Sequence, residues 1–246
     1  MHATSSPGTM WRPAWVTIFV LGILLAGCQA VPAPEAEPEL TAPARLPSLP
    51  PLPGEDADHY VVDGRQSDIR VLVYRGGPLA KYGHNHVIRL TRVEGDIYLA
   101  PDFHDSGFDL VLPLRDVVVD PSEARADEGE EFETNLSPQA KETTLNNMLG
   151  SQVLDAGGYP EIHIRSVALL GPAWGPEATV RVNLHGVERD MTVPIAIVHG
   201  GDELIATGLL RLRTSDFGMA PFSVLGGGLQ VQDEVKVRFR IVARKE

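Results

Sequence analysis

The chain has 246 residues, 43% of them hydrophobic, and a formal net charge of −12 at pH 7. Residues 58–246 alone hold 19 basic against 28 acidic side chains, with no basic stripe. That balance excludes phosphate backbones as natural partners, and the single cysteine, Cys28, excludes an intramolecular disulfide.

The chain opens on a leader. Residues 15–26 form a short apolar run preceded by Arg12, of signal-peptide rather than membrane-spanning length. It ends in Leu25-Ala26-Gly27-Cys28, which resembles a bacterial lipobox. The resemblance implies a lipoprotein signal peptide over 1–27, cleavage before Cys28 and lipidation of that residue. Met10 begins a complete leader by itself. Three acyl chains would exceed what stable membrane attachment requires. The expected location is the bacterial cell envelope, facing the periplasm. Gln29, where an aspartate would signal inner-membrane retention, points to the outer membrane. Residues 29–57 carry eight prolines and a net charge of −4. Such a segment builds no core, so a semi-rigid stalk is expected over 28–57.

From His59 the pattern has period two, the signature of strands wetted on one face. Ile69, Val71 and Val73 alternate with polar residues in 67–75. His84 and His86 share parity with Ile88 and Leu90, and Asn85, Arg89 and Thr91 share the opposite parity. Val93, Ile97 and Leu99 alternate in 93–99, and Phe108, Leu110, Leu112 and Leu114 form one face of 107–114. Residues 120–136 are acidic and read as a mobile loop. Ser137-Pro138 opens a helix as N-cap and first-turn proline, with Ala140, Leu145, Met148 and Leu149 on one side and Gly150 to end it. Strands follow over 160–169, 178–184 (Val180, Val182 and Leu184 on one face), 189–198 and 203–213. The last is the clearest, with Val231, Val235, Val237, Phe239 and Ile241 alternating with charged or amide residues. The predicted fold is all-β: an extended, lipocalin-like antiparallel barrel of about eight to ten strands over 58–246, with one short amphipathic helix at 138–149.

Several blocks resemble one family. Tyr60-Val61-Val62-Asp63 is similar to the opening strand of YceI-like proteins. Tyr159-Pro160-Glu161-Ile162 with Ser166, Leu184-His185-Gly186-Val187, Ser215-Asp216-Phe217-Gly218-Met219 and Asp233-Glu234-Val235 resemble later blocks, in order, across 60–243. The resemblance implies a barrel that holds a polyisoprenoid or other amphiphile, and no shared catalytic residues.

The residues leave three readings. In the first, the barrel binds a hydrophobic small molecule, isoprenoid- or fatty-acid-like, to store, carry or sense it, for instance under stress. Ile69, Val71, Val73, Ile88, Phe108, Leu110, Leu112, Val180, Val182, Val237 and Phe239 then face the ligand, with His84 and His86 as a polar rim. In the second, His84 and His86 ligate a metal, with a third ligand such as His104 supplied by a loop; His163 and His185 have outward parity. In the third, the barrel is filled and structural. No nucleophile elbow, phosphate loop or other cofactor motif is present, so the protein is expected to bind rather than catalyse. Asp216-Phe217-Gly218 and the glycines at 226–228 read as turns.

Overall fold

The computed structural model describes residues 46–246. The predicted leader, Cys28 and the linker up to residue 45 lie outside the described residues. In chain order the elements are β1 (Asp58–Val62), β2 (Asp68–Val73), β3 (Arg75–Gly76), β4 (His86–Leu90), β5 (Glu94–Leu99), β6 (Gly107–Pro113) and β7 (Val117–Val119). Two helices follow, α1 (Ser122–Asp127) and α2 (Pro138–Leu149). The second half is β8 (Glu161–Leu170), β9 (Glu177–Leu184), β10 (Val187–Gly200), β11 (Glu203–Arg213), β12 (Ser223–Val224), β13 (Leu229–Val231) and β14 (Glu234–Lys245).

Eight of these strands close a ring in the order β1-β5-β6-β8-β9-β10-β11-β14, every neighbour antiparallel. Closure comes from β1, where Tyr60 pairs with Ile97 on one side and Lys245 on the other. β14 is shared. Residues 243–245 pair with β1, and residues 236–240 pair with β2, whose far side carries β4 and then β7. The β2-β4-β7 extension carries the wall upward beyond the end of β1. A small sheet of β12, β13 and β3 roofs that upper end.

The period-two pattern sets which side chains go inside. Val235, Val237, Phe239 and Ile241 of β14 enter the core while Lys236, Arg238 and Arg240 stay outside it. Gly208 lies opposite Phe239 in the β11–β14 ladder. A Cβ at Gly208 would sit 2.5 Å from the Phe239 ring and 2.9 Å from the Pro194 carbonyl, so only glycine lets the ring lie there.

α2 has the predicted bounds. Ser137 Oγ accepts the Ala140 amide at 3.2 Å and Pro138 takes the first turn. Gly150 ends the helix in an extended rather than left-handed conformation, and the Leu154 and Ala156 amides take the carbonyls of Met148 and Leu149. Leu145, Met148 and Leu149 pack against the core beside β7.

Two expectations need correction. Residues 120–136 are an ordered cover, not a mobile loop. α1 and the turn at Glu130–Phe132 bury Ala124 and Phe132 against Leu72 and Val87, on the outer side of β2 and β4. Arg70 and Arg238 both reach Glu128, so the segment's acidity matches arginines on the sheet below it. The stalk also does not run freely to residue 57. Buried Arg181, held by two bonds to Asp190 at 2.7 and 2.9 Å, donates to the Pro47 carbonyl at 2.7 Å. Arg165 donates to the Pro50 carbonyl at 3.1 Å, and Leu52 and Pro53 cover Gly107. The described end of the linker is therefore a strap along the outside of β8 and β9. Proline suits it, because its carbonyls accept while no amide is left unpaired.

Candidate functional site

The barrel encloses two apolar chambers. The lower one, about 140 Å³, is lined by Phe108, Leu110, Val180 and Phe239 and ends below at Phe103, Leu169, Ile197 and Leu204. The upper one, about 270 Å³, is lined by Val71, Val73, Ile88, Val235 and Met148 and roofed by Phe222, Val231 and Gln232. Ile69, Leu112, Ile164, Val182, Leu210 and Val237 line both, forming a shared waist. No Asp, Glu, Lys or Arg lines either chamber. The eleven aliphatic and aromatic residues singled out from parity all line this cavity: Ile69, Val71, Val73, Ile88, Phe108, Leu110, Leu112, Val180, Val182, Val237 and Phe239.

Sequence reasoning missed most of the β10 and β11 contribution. Val193, Ile195, Ile197, Leu204, Ala206 and Leu210 also line the cavity. Residues 191–198 of β10 carry no charge on either face, so alternation gave no signal there. Polar lining was missed too: Thr144 and Asn147 from α2, Thr214, and Gln232 from the roof in the upper chamber, and Ser106 in the lower one.

The two histidines part company. His86 opens β4 and lines the upper chamber with Ile88 and Leu90, as parity requires. His84 precedes the strand, is exposed, and lines neither chamber, because alternation does not extend into irregular backbone. Partial desolvation of its ring and the nearby guanidinium groups of Arg125 and Arg75 hold the His84 pKa below the ordinary 6.5. The face predicted to be wet is covered. Asn85 is buried, accepting the Arg75 amide at 3.0 Å and donating to the Glu131 carbonyl at 3.1 Å, and Val87 is sealed under Phe132.

Beneath His86 lies a buried network. His86 Nδ1 donates to Asp120 Oδ2 at 2.7 Å. Asp120 is fully buried, with its backbone at φ 54. Its Oδ1 accepts the Val87 amide at 2.9 Å and the Arg125 guanidinium, and Arg125 also donates to the carbonyls of Asn85 at 2.8 Å and Thr134 at 3.1 Å. Burial pushes the Asp120 carboxyl up, but the bonds from His86, Val87 and Arg125 outweigh it and hold the pKa below 3.8. The carboxylate fixes the imidazole ring, and no described residue bonds its Nε2. His86 thus offers one oriented hydrogen-bonding atom to a mostly apolar chamber, beside Thr144, Asn147, Thr214 and Gln232.

The remaining histidines do not converge on this point. His104 pairs with Asp102 at 3.0 Å on an exposed turn, and His163 is exposed beside Glu161. His185 sits at φ 55 in the β9–β10 turn against the Tyr159 ring. Among the described residues no group of three His, Cys, Asp or Glu side chains is placed to hold a metal. Phe217, fully buried, and Gly218 at φ 74 form the expected strand-end turn.

Solved structures resemble this architecture at low identity, which speaks to the fold. BcnA from Burkholderia cenocepacia superposes with a TM-score of 0.55 at 14% identity, over 74% of this chain and 98% of that one. A polyisoprenoid-binding domain from Saccharophagus degradans, implicated in plant cell wall breakdown, gives 0.51 at 13% identity, over 76% and 98%. No curated protein matches in sequence. The model of the YceI-like domain matches residues 60–243, spanning the barrel from β1 to β14, and the chain belongs to the YceI-like family.

Proposed function

We propose that the protein binds one isoprenoid- or fatty-acid-like amphiphile inside the barrel and holds it without transforming it. The observation that carries this reading is the two-chambered, mostly apolar cavity inside the barrel, with one oriented imidazole nitrogen in the upper chamber. The apolar chain occupies the lower chamber and the waist. The polar end lies above, near His86, Gln232, Asn147 and Thr214. Burial drives binding, at roughly 0.8 kcal/mol per CH2 before ordering losses. The description of the Saccharophagus domain as polyisoprenoid-binding agrees with this chemistry.

The protein is also proposed to be an envelope lipoprotein anchored through Cys28, storing or carrying its amphiphile beside the membrane. The support is the lipobox-like Leu25-Ala26-Gly27-Cys28. Cys28→Ser should move the protein from the membrane fraction to the soluble fraction; unchanged membrane association would refute the anchor. The ligand reading is tested by solvent extraction and mass spectrometry of natively purified protein. A reproducible prenyl or acyl species near one equivalent supports it. No such species, together with no binding of added ubiquinone or palmitate, sinks it.

A further inference from the structure

The wall is not hydrogen-bonded all the way round. The β10–β11 ladder runs from Gly200↔Glu203 to Ile195↔Gly208 and stops. Above that point residues 187–194 of β10 pair only with β9, and residues 209–213 of β11 pair only with β14. The next residue up β10 is Pro194, which has no amide hydrogen to offer β11. The two strands splay toward the upper end.

The cleft left between them is lined by Met191, Pro194, Leu209, Leu210, Arg211 and Phe217. Leu210 borders three spaces at once: this cleft, the upper chamber and the lower chamber. Phe217 closes the cleft from the turn at Thr214–Phe217, which packs on both β10 and β11. Side chains alone separate the outside from the waist here. At the free edge of β7 the upper wall is instead covered by α2, which is anchored by Leu145, Met148 and Leu149.

We propose that the β10–β11 seam is a lateral portal through which the amphiphile reaches and leaves the cavity, with Leu210 and Phe217 as its gate. The proposal rests on the ligand-binding reading above. Rotating Leu210 and Phe217 breaks no strand ladder, whereas parting any fully paired strands breaks several backbone hydrogen bonds together. The seam meets the cavity at its waist, so a chain threading inward can extend into either chamber. The outer lip is mixed: Arg189, Asp190, Arg211 and Asp216 flank the cleft, while Met191, Pro194 and Leu209, which is 42% exposed, give the apolar chain a path between them.

Thr192 and Arg211 also line the cleft on opposite strands. In the full chain carrying Cys28→Ser, Thr192→Cys with Arg211→Cys allows the seam to be bridged by a short bis-maleimide. Arg213→Cys with Glu234→Cys, across the fully paired β11–β14 ladder, is the control bridge. The readouts are the rates of cis-parinaric acid transfer from and to phosphatidylcholine vesicles, and its equilibrium affinity. Bridging the seam is expected to slow both rates by about tenfold or more with affinity held within about twofold, while the control bridge changes neither. Leu210→Ala, which needs no bridge, is expected to speed both rates by about threefold or more. Unchanged rates in the bridged protein, with normal affinity, overturn the portal and leave the binding reading standing. No parinaric acid binding in any form overturns the binding reading, and the portal with it.

Discussion

Asp120→Asn tests the buried network most directly. Asparagine matches aspartate in shape and tolerates the left-handed backbone found there. It removes the charge, however, and turns one acceptor into a donor. That donor must face either His86 Nδ1 or the Val87 amide and Arg125, all of which donate. Removing one partner of a buried ion pair costs about 3–5 kcal/mol. Arg125 keeps the carbonyls of Asn85 and Thr134, so the lower end of that range applies. We expect a loss of about 3 kcal/mol in urea unfolding at pH 7, or roughly 6–12 °C in Tm for a domain of this size. The pH dependence has a definite sign. The folded carboxyl titrates below its ordinary 3.8, so the wild-type advantage is complete above about pH 4 and is lost as pH falls through the folded value. The gap between wild type and variant should narrow below pH 4. A loss under about 1 kcal/mol at pH 7, or a gap that stays constant down to pH 3, would refute this account of the network.

Three further outcomes are expected. Gly208→Ala forces a methyl against the Phe239 ring and the Pro194 carbonyl, and overpacking of that kind should cost about 1–3 kcal/mol in thermal unfolding; an unchanged Tm would mean that the ring does not rest there. Val182→Trp places an indole across the waist and should abolish co-purification of a bound amphiphile in native mass spectrometry, while far-UV circular dichroism still reports the barrel; retained ligand would show that the waist is not on its path. Arg181→Ala releases the Pro47 carbonyl and leaves Asp190 without its partner, so limited proteolysis between 46 and 53 should speed up by about tenfold; equal cleavage rates would show that Arg181 does not hold the strap.

The strands were legible because most of them have one wet face. β2, β6, β9 and β14 alternate along most of their length, and the inward residues read from that alternation reach the cavity. α2 was legible from its cap, since Ser137-Pro138 leaves the backbone little choice. Three things were hidden, each for a physical reason. The lower half of β10 is apolar inside and out, so periodicity could not say which side faced in. Residues 120–136 are rich in acidic side chains, and composition concealed the few that matter, Ala124, Arg125 and Phe132, all of them buried. His84 was assigned inward by continuing a strand's parity two residues past its start. Asp120 carried no signal at all. Its role depends on meeting His86 and Arg125 across α1 and β4, and a single sequence does not display that meeting.

The double use of β14 bears on when the barrel can form. It bonds to β11 along one edge and to both β2 and β1 along the other. β1 and β2 come early in the chain and β14 comes late, so the ring stays open during synthesis until the last strand is made. Pairing between such distant segments is slow to nucleate, and the earlier strands wait with unpaired edges. A chain emerging from the ribosome therefore has an extended period in which it is unfolded and threadable. That kinetic window would suit the export that the proposed envelope location requires, with closure following only after β14 has crossed.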